Sequence, residues 1–105
     1  MIALIDYGSG NLRSAENALT RVGAQVAIVN RREDVLSADA VVLPGVGAFG
    51  DCVKNLAACG LVEAIPEFIA SGRPFLGICV GLQMLLEDGA ENPGVKGLGV
   101  IPGKV

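Results

Sequence analysis

The chain has 105 residues, 51% of them apolar and 18% charged, with fifteen glycines and a net charge of −3. That length limits it to one small domain or part of one, and the balance is that of buried parallel strands joined by tight turns, not of disorder or a coiled coil. No basic cluster offers attraction to a phosphate backbone, so no nucleic-acid partner is expected.

The N-terminus MIALID has an acid where a signal peptide would continue its apolar region, and no apolar run approaches the roughly 20 residues that a membrane span needs. Three cysteines, an odd count without framework spacing, read as reduced thiols in a cytoplasmic protein. Such high apolarity in a short chain also predicts that part of its surface is covered by a partner or by a continuation of the fold.

Ile2 to Ile5 reads as a first strand, and Tyr7-Gly8-Ser9-Gly10 as its turn. Leu12, Ala15, Leu19 and Val22 recur at helical spacing, with Gly23 as the C-terminal cap. Gln25 to Val29 is a second strand, Arg31 to Leu36 a short helical or irregular crossover, and Ala40 to Leu43 a strand halted by Pro44 at the head of the loop PGVGAFG. Val53, Leu56 and Ala57 suggest a helix ending at Gly60. Ile65, Phe68 and Ile69 suggest another, stopped by Gly72, with Pro66 tolerated in its first turn. Pro74 to Ile78 is a fourth strand, Val80 to about Glu87 a helix, and Leu98 to Ile101 a short final strand after which the chain reads as truncated. Strands alternating with helices in this way predict an α/β fold, a flavodoxin-like or Rossmann-like parallel sheet with helices on both faces.

The chemistry concentrates at Phe75 to Leu85, FLGICVGLQML, where Cys79 stands between glycines at a strand-to-helix turn. This is the layout of a nucleophile elbow: small neighbours let the backbone bend, and the N–H groups of the following helix aim at the thiol and favour its thiolate. Ligands of open parallel sheets gather outside the carboxyl ends of the strands, which brings together Tyr7 to Asn11, Pro44 to Gly50 and Cys79. The N–H groups of Val46, Gly47 and Val80 are candidates for an oxyanion hole, and Gln83, one turn beyond Cys79, for holding a polar substrate. Ser9-Gly10-Asn11 is either a capping turn or a phosphate cradle. Cys52 and Cys59, without such context, read as packing residues. Acyl transfer also needs an acid and base near neutrality, usually imidazole, and the chain has no histidine.

These segments together resemble the class I (triad) glutamine amidotransferases, whose elbow reads G-x-C-x-G-x-Q, here Gly77, Cys79, Gly81 and Gln83. Within that class, DYGSGNL (6 to 12), LPGVGAFG (43 to 50) and PFLGICVGLQML (74 to 85) are similar to the glutaminase subunits of imidazole glycerol phosphate synthases. The resemblance implies that glutamine is hydrolysed through a glutamyl thioester and that the ammonia passes to a (β/α)8-barrel cyclase subunit for histidine biosynthesis. It implies Cys79 as nucleophile, Gly47 and Gln83 as glutamine contacts, Val80 with the loop from Pro44 to Gly47 (Val46 included) as oxyanion hole, and Asn11 as a residue facing the cyclase. No cofactor and no metal is implied. In that family the oxyanion loop reorients when the cyclase binds its ligand.

The family's histidine and glutamate lie in a C-terminal half, so residues 1–105 read as the N-terminal half of an incomplete class I glutamine amidotransferase domain, inactive alone and prone to self-association. Three alternatives stay open. One is a non-catalytic half that only docks on a partner. Another is a flavodoxin-like flavin binder, weakened by the presence of only four aromatic residues, Tyr7 and three phenylalanines. The third is another cysteine-elbow family of this fold, in which histidine often follows the cysteine where this chain has Val80.

Overall fold

Four short apolar runs pair into a single parallel sheet in the computed structural model, which describes residues 1–8, 11–87 and 96–103. In chain order the elements are β1 (Ile2–Ile5), α1 (Leu12–Arg21), β2 (Val26–Val29), α2 (Arg32–Leu36), β3 (Ala40–Leu43), α3 (Phe49–Ala58), α4 (Ala64–Ala70), β4 (Phe75–Gly77) and α5 (Val80–Gln83). The strand order is β2-β1-β3-β4, with Ile2 opposite both Val26 and Ala40 and Val41 opposite Phe75. Parallel neighbours require crossover connections, and the intervening helices supply them.

The order reverses at β1: β2 lies on one side of it, β3 and β4 on the other. That reversal opens a crevice at the carboxyl ends of β1 and β3. It puts the loop after Ile5 beside the loop after Leu43, as the sequence predicts.

The period-2 alternation of the strands divides the apolar residues between two faces. Ala3, Ile5, Val29, Val41 and Leu43 face the main core, which they share with Val35, Phe49, Cys52, Leu56, Phe68 and Met84 from the helices and the turn after α5. Burying a side chain such as Phe49 or Phe68 in full contributes about 1.5–3 kcal/mol. On the opposite face α1 lies over β1 and β2, and an apolar groove of about 200 Å³ remains between its Leu19 and Pro74 and Leu76 at the β4 edge. Leu76 is 53% exposed there.

Several boundaries differ from expectation. Val22 caps α1 instead of joining its apolar face and is 80% exposed, and Gly23 follows it at φ 91° on the way to β2. The helix after the PGVGAFG loop starts at Phe49, so Phe49 and Gly50 are helical, and the buried face is Phe49, Cys52 and Leu56 while Ala57 points to solvent. Cys59 is the exposed cap of that helix and not a packing residue.

The elbow helix is one turn long and does not run to Glu87. Past Gln83 the bonds tighten to i→i−3, from Leu85 N–H to Leu82 O (3.1 Å) and Leu86 N–H to Gln83 O (3.0 Å), and the Glu87 N–H leaves the helix for Gly103 O (2.9 Å); the carbonyls of Met84, Leu85 and Glu87 accept from Leu98 (2.7 Å), Ile101 (2.8 Å) and Gly97 (2.7 Å). Those bonds tie 97–101 down irregularly, and the expected strand over Leu98 to Ile101 does not form. The phosphate-cradle reading of Ser9 and Gly10 lies outside the described residues. Among the described residues no helix is long and apolar enough to cross a membrane.

Candidate functional site

Cys79 has φ 55° and ψ −120°, making it the only non-glycine residue with positive φ among those described. Such a conformation costs on the order of 1–3 kcal/mol and persists only where the surroundings enforce it. Here the enforcement is steric and comes from the two glycines of G-x-C-x-G. A Cβ on Gly81 would lie 1.9 Å from the carbonyl oxygen of Leu43, and one on Gly77 would lie 2.7 Å from the Cα of Leu82. The turn therefore folds back against the end of β3 more closely than any side chain permits, which leaves the Cys79 side chain on the exposed outside of the bend.

The loop after β3 packs against this turn by its own close approach. A Cβ on Gly45 would meet Gly81 N and the Tyr7 hydroxyl, each at 2.7 Å. Three successive loop carbonyls are each held by a named donor. The buried Tyr7 O–H donates to Pro44 O (2.5 Å), the Val80 N–H to Gly45 O (3.2 Å), and the Cys52 thiol to Val46 O (3.2 Å). Asn11 caps α1 by accepting the Ser14 N–H at its Oδ1 (3.3 Å).

Asn11, Ser14, Pro44, Gly45, Val46 and Cys79 together border a mostly apolar cavity of about 260 Å³. Three of the residues singled out in the sequence, Asn11, Val46 and Cys79, thus meet at one cavity. Gly47 and Gln83 do not line it: Gly47 follows Val46 with φ 89°, and the half-buried Gln83 sits one turn beyond Cys79, donating its backbone N–H to Cys79 O (3.2 Å).

The hydrogen bonding modifies the expected electrostatics. The Val80 N–H is engaged by Gly45 O and the Gly81 N–H by Ile78 O (2.9 Å), so neither is free to aim at the thiol. The Gly45–Val46 peptide is planar and trans, which sends its N–H opposite to its C=O. With Gly45 O pointing at Val80 N–H, the Val46 N–H points away from it. In this conformation the loop's own carbonyl occupies the Val80 N–H that was expected to serve an oxyanion hole.

Among the described residues no charged side chain lines the cavity, and no three His, Cys, Asp or Glu side chains stand together as metal ligands would. Sequence reasoning placed Tyr7 in a loop of the site but gave it no role, and read Cys52 only as a packing residue. A tyrosine two residues after a strand and a cysteine in the first turn of a helix carry no local signal of the loop they hold.

Comparison with known proteins agrees with this arrangement. The model of the class-I glutamine amidotransferase family matches residues 3–101. The chain is 53% identical over its whole length to the imidazole glycerol phosphate synthase subunit HisH of Methanothermobacter thermautotrophicus, covering 52% of that protein. It is 49% identical over its whole length to the chloroplastic imidazole glycerol phosphate synthase hisHF of Arabidopsis thaliana, covering 18% of it. A crystal structure of a glutamine amidotransferase superposes with a TM-score of 0.82 at 22% identity, over 99% of this chain and 55% of that one, which is a likeness of fold. The chain spans about half the length of the HisH subunits it matches. With the match running from β1 to the last described segment, and the glycine-enforced cysteine turn inside it, the chain belongs to the class I glutamine amidotransferase family.

Proposed function

We propose that residues 1–105 are the nucleophile-bearing half of a glutaminase subunit of imidazole glycerol phosphate synthase. The observation that carries this reading is the strained Cys79 turn opening on the same cavity as Val46 and Asn11. The sulfur of Cys79 attacks the carboxamide carbon of glutamine, the C–S bond forms, and the carbonyl oxygen takes the negative charge. Collapse breaks the C–N bond and releases ammonia, whose nitrogen must gain a proton as it leaves. Water then cleaves the glutamyl thioester. Gly47 and Gln83 are the proposed contacts for glutamine, and Asn11, exposed at the cavity rim, the proposed contact for the cyclase subunit that receives the ammonia.

Turnover requires two things that these residues do not supply in this conformation. The oxyanion donors Val80 and Val46 become available when the Gly45–Val46 peptide rotates by about half a turn, and one such donor is worth roughly 100- to 1,000-fold in rate. The leaving amine needs an acid, and the chain has no histidine.

A second reading, a half that docks on a partner without catalysis, is favoured by the same engagement of the Val80 N–H. The deciding experiment treats the chain with a diazoketone analogue of glutamine and compares labelling of Cys79 with that of Cys59, an exposed thiol outside the site. Glutamate release is then assayed with the cyclase subunit and its nucleotide ligand, against Cys79→Ala. Selective labelling of Cys79 with no glutamate release by the chain alone is expected. Labelling of Cys79 no faster than Cys59 refutes the glutaminase reading.

A further inference from the structure

Cys52 is 1% exposed, and its thiol donates to the carbonyl oxygen of Val46 at 3.2 Å, six residues back along the chain. It projects from the first turn of α3, whose own N–H bond to Ala48 O (3.1 Å) fixes the helix directly behind the loop. On the far side of the loop, Tyr7 is equally fixed in the core and holds Pro44 O. Between these two anchors lies one peptide, Gly45–Val46, whose carbonyl is held from the elbow, by the Val80 N–H.

Resting on the glutaminase reading above, we infer that Cys52 is a positioning residue for the reaction: its thiol locks the Val46–Gly47 peptide, so that reorientation of the oxyanion loop is confined to Gly45–Val46. Three points support this. The carbonyl that Cys52 holds belongs to the peptide next to the one that must turn, so fixing it holds the ψ of Val46 and leaves the turn to the ψ of Gly45 and the φ of Val46. Gly47 follows at φ 89°, a conformation that only glycine holds without strain, so this peptide has a permissive residue on one side and needs an external restraint. The restraint is also of suitable strength. A thiol is a weak donor, so the bond biases one orientation without making the loop rigid.

The test uses the whole chain, labelled with ¹⁵N and ¹³C, as Cys52→Ala and Cys52→Ser. In Cys52→Ala the Val46 carbonyl resonance shifts, and the minor-orientation population reported by relaxation dispersion at the Gly47 nitrogen rises roughly two- to fivefold, the change expected for loss of one weak hydrogen bond. Cys52→Ser, which keeps a donor, restores both toward the parent chain. Unchanged resonances for β1 and β3 in both variants show that the core has not unfolded. Val46 and Gly47 signals in Cys52→Ala identical to those of the parent chain overturn the inference, as does a Ser variant behaving like the Ala variant. Failure of the diazoketone analogue to label Cys79 in the parent chain strikes the glutaminase reading instead, and the Gly47 measurement still decides whether Cys52 locks the loop.

Discussion

Gly81→Ala tests whether the elbow is built by close approach. The added Cβ would sit 1.9 Å from Leu43 O and 2.8 Å from Leu43 C, both backbone atoms at the end of a buried strand, so no flexible side-chain tip can yield. Relief requires moving the turn or β3 by more than 1 Å, since carbon and oxygen atoms do not settle closer than about 3.2 Å. Overpacking of this kind costs about 1–3 kcal/mol. Leu43 O also accepts the Ile78 N–H at 2.9 Å, and disturbing that bond adds about 1 kcal/mol. The sum, roughly 2–4 kcal/mol, is a large share of the 5–15 kcal/mol typical of a domain and lowers Tm by about 10–25 °C at this size. Thermal and urea unfolding followed by circular dichroism measure it, with Gly60→Ala as control. Gly60 has φ 73° and open space around its Cβ position, so its substitution costs only the left-handed backbone penalty of about 1–2 kcal/mol. If Gly81→Ala melts no lower than Gly60→Ala, the steric account of the elbow is refuted.

Three further outcomes are expected. Tyr7→Phe leaves the buried Pro44 carbonyl without its hydroxyl donor, which lowers stability by about 1–3 kcal/mol in urea unfolding; a neutral result would mean that another group satisfies that carbonyl. Leu76, Ile78 and Leu82 are exposed apolar side chains on and just after the edge strand β4, so the chain self-associates with rising concentration in sedimentation velocity and Leu76→Lys shifts it toward monomer. A monodisperse parent chain at high concentration contradicts this. The N-terminal ammonium, bonded to Asp39 at 2.6 Å, holds that carboxyl below its ordinary value of 3.8; the pair's small contribution is therefore present above that range and fades as pH falls through it, and Asp39→Asn flattens the acid limb of stability against pH.

What was legible in the sequence follows from which forces act locally. β1 and β3 are apolar runs closed by Asp6 and Pro44, and their bounds match expectation residue for residue. The elbow was legible because its glycines are demanded sterically and cluster within five residues around Cys79. The length of α5 was not, since the periodicity of Leu82, Leu85 and Leu86 continues past Gln83, and what ends the helix is a tightened turn and a bond from the Glu87 N–H to the distant Gly103 O. Phe49 and Gly50 looked like loop because glycine-rich composition masks a helix start that is fixed by burial of Phe49. Tyr7 and Cys52 were invisible as loop anchors for the same reason: each acts across 37 or 6 residues through a carbonyl that any sequence would carry.

The division of labour in the site follows from where its constraints originate. Everything that shapes the nucleophile turn lies between Tyr7 and Leu82: two glycines that admit the close approach, one strand end that receives it, and donors for three loop carbonyls. In the proposed reaction, attack by sulfur needs no more than those features once the Gly45–Val46 peptide has turned. Expulsion of ammonia needs more, because it requires a proton delivered as the C–N bond breaks, and among the described residues no charged side chain lines the cavity, while the chain has no imidazole. Under the proposed function, covalent capture at Cys79 and turnover of glutamine are therefore separable for these residues. An analogue that needs no protonated leaving amine tests the proposed nucleophile by itself, and glutamate release tests it together with a proton donor.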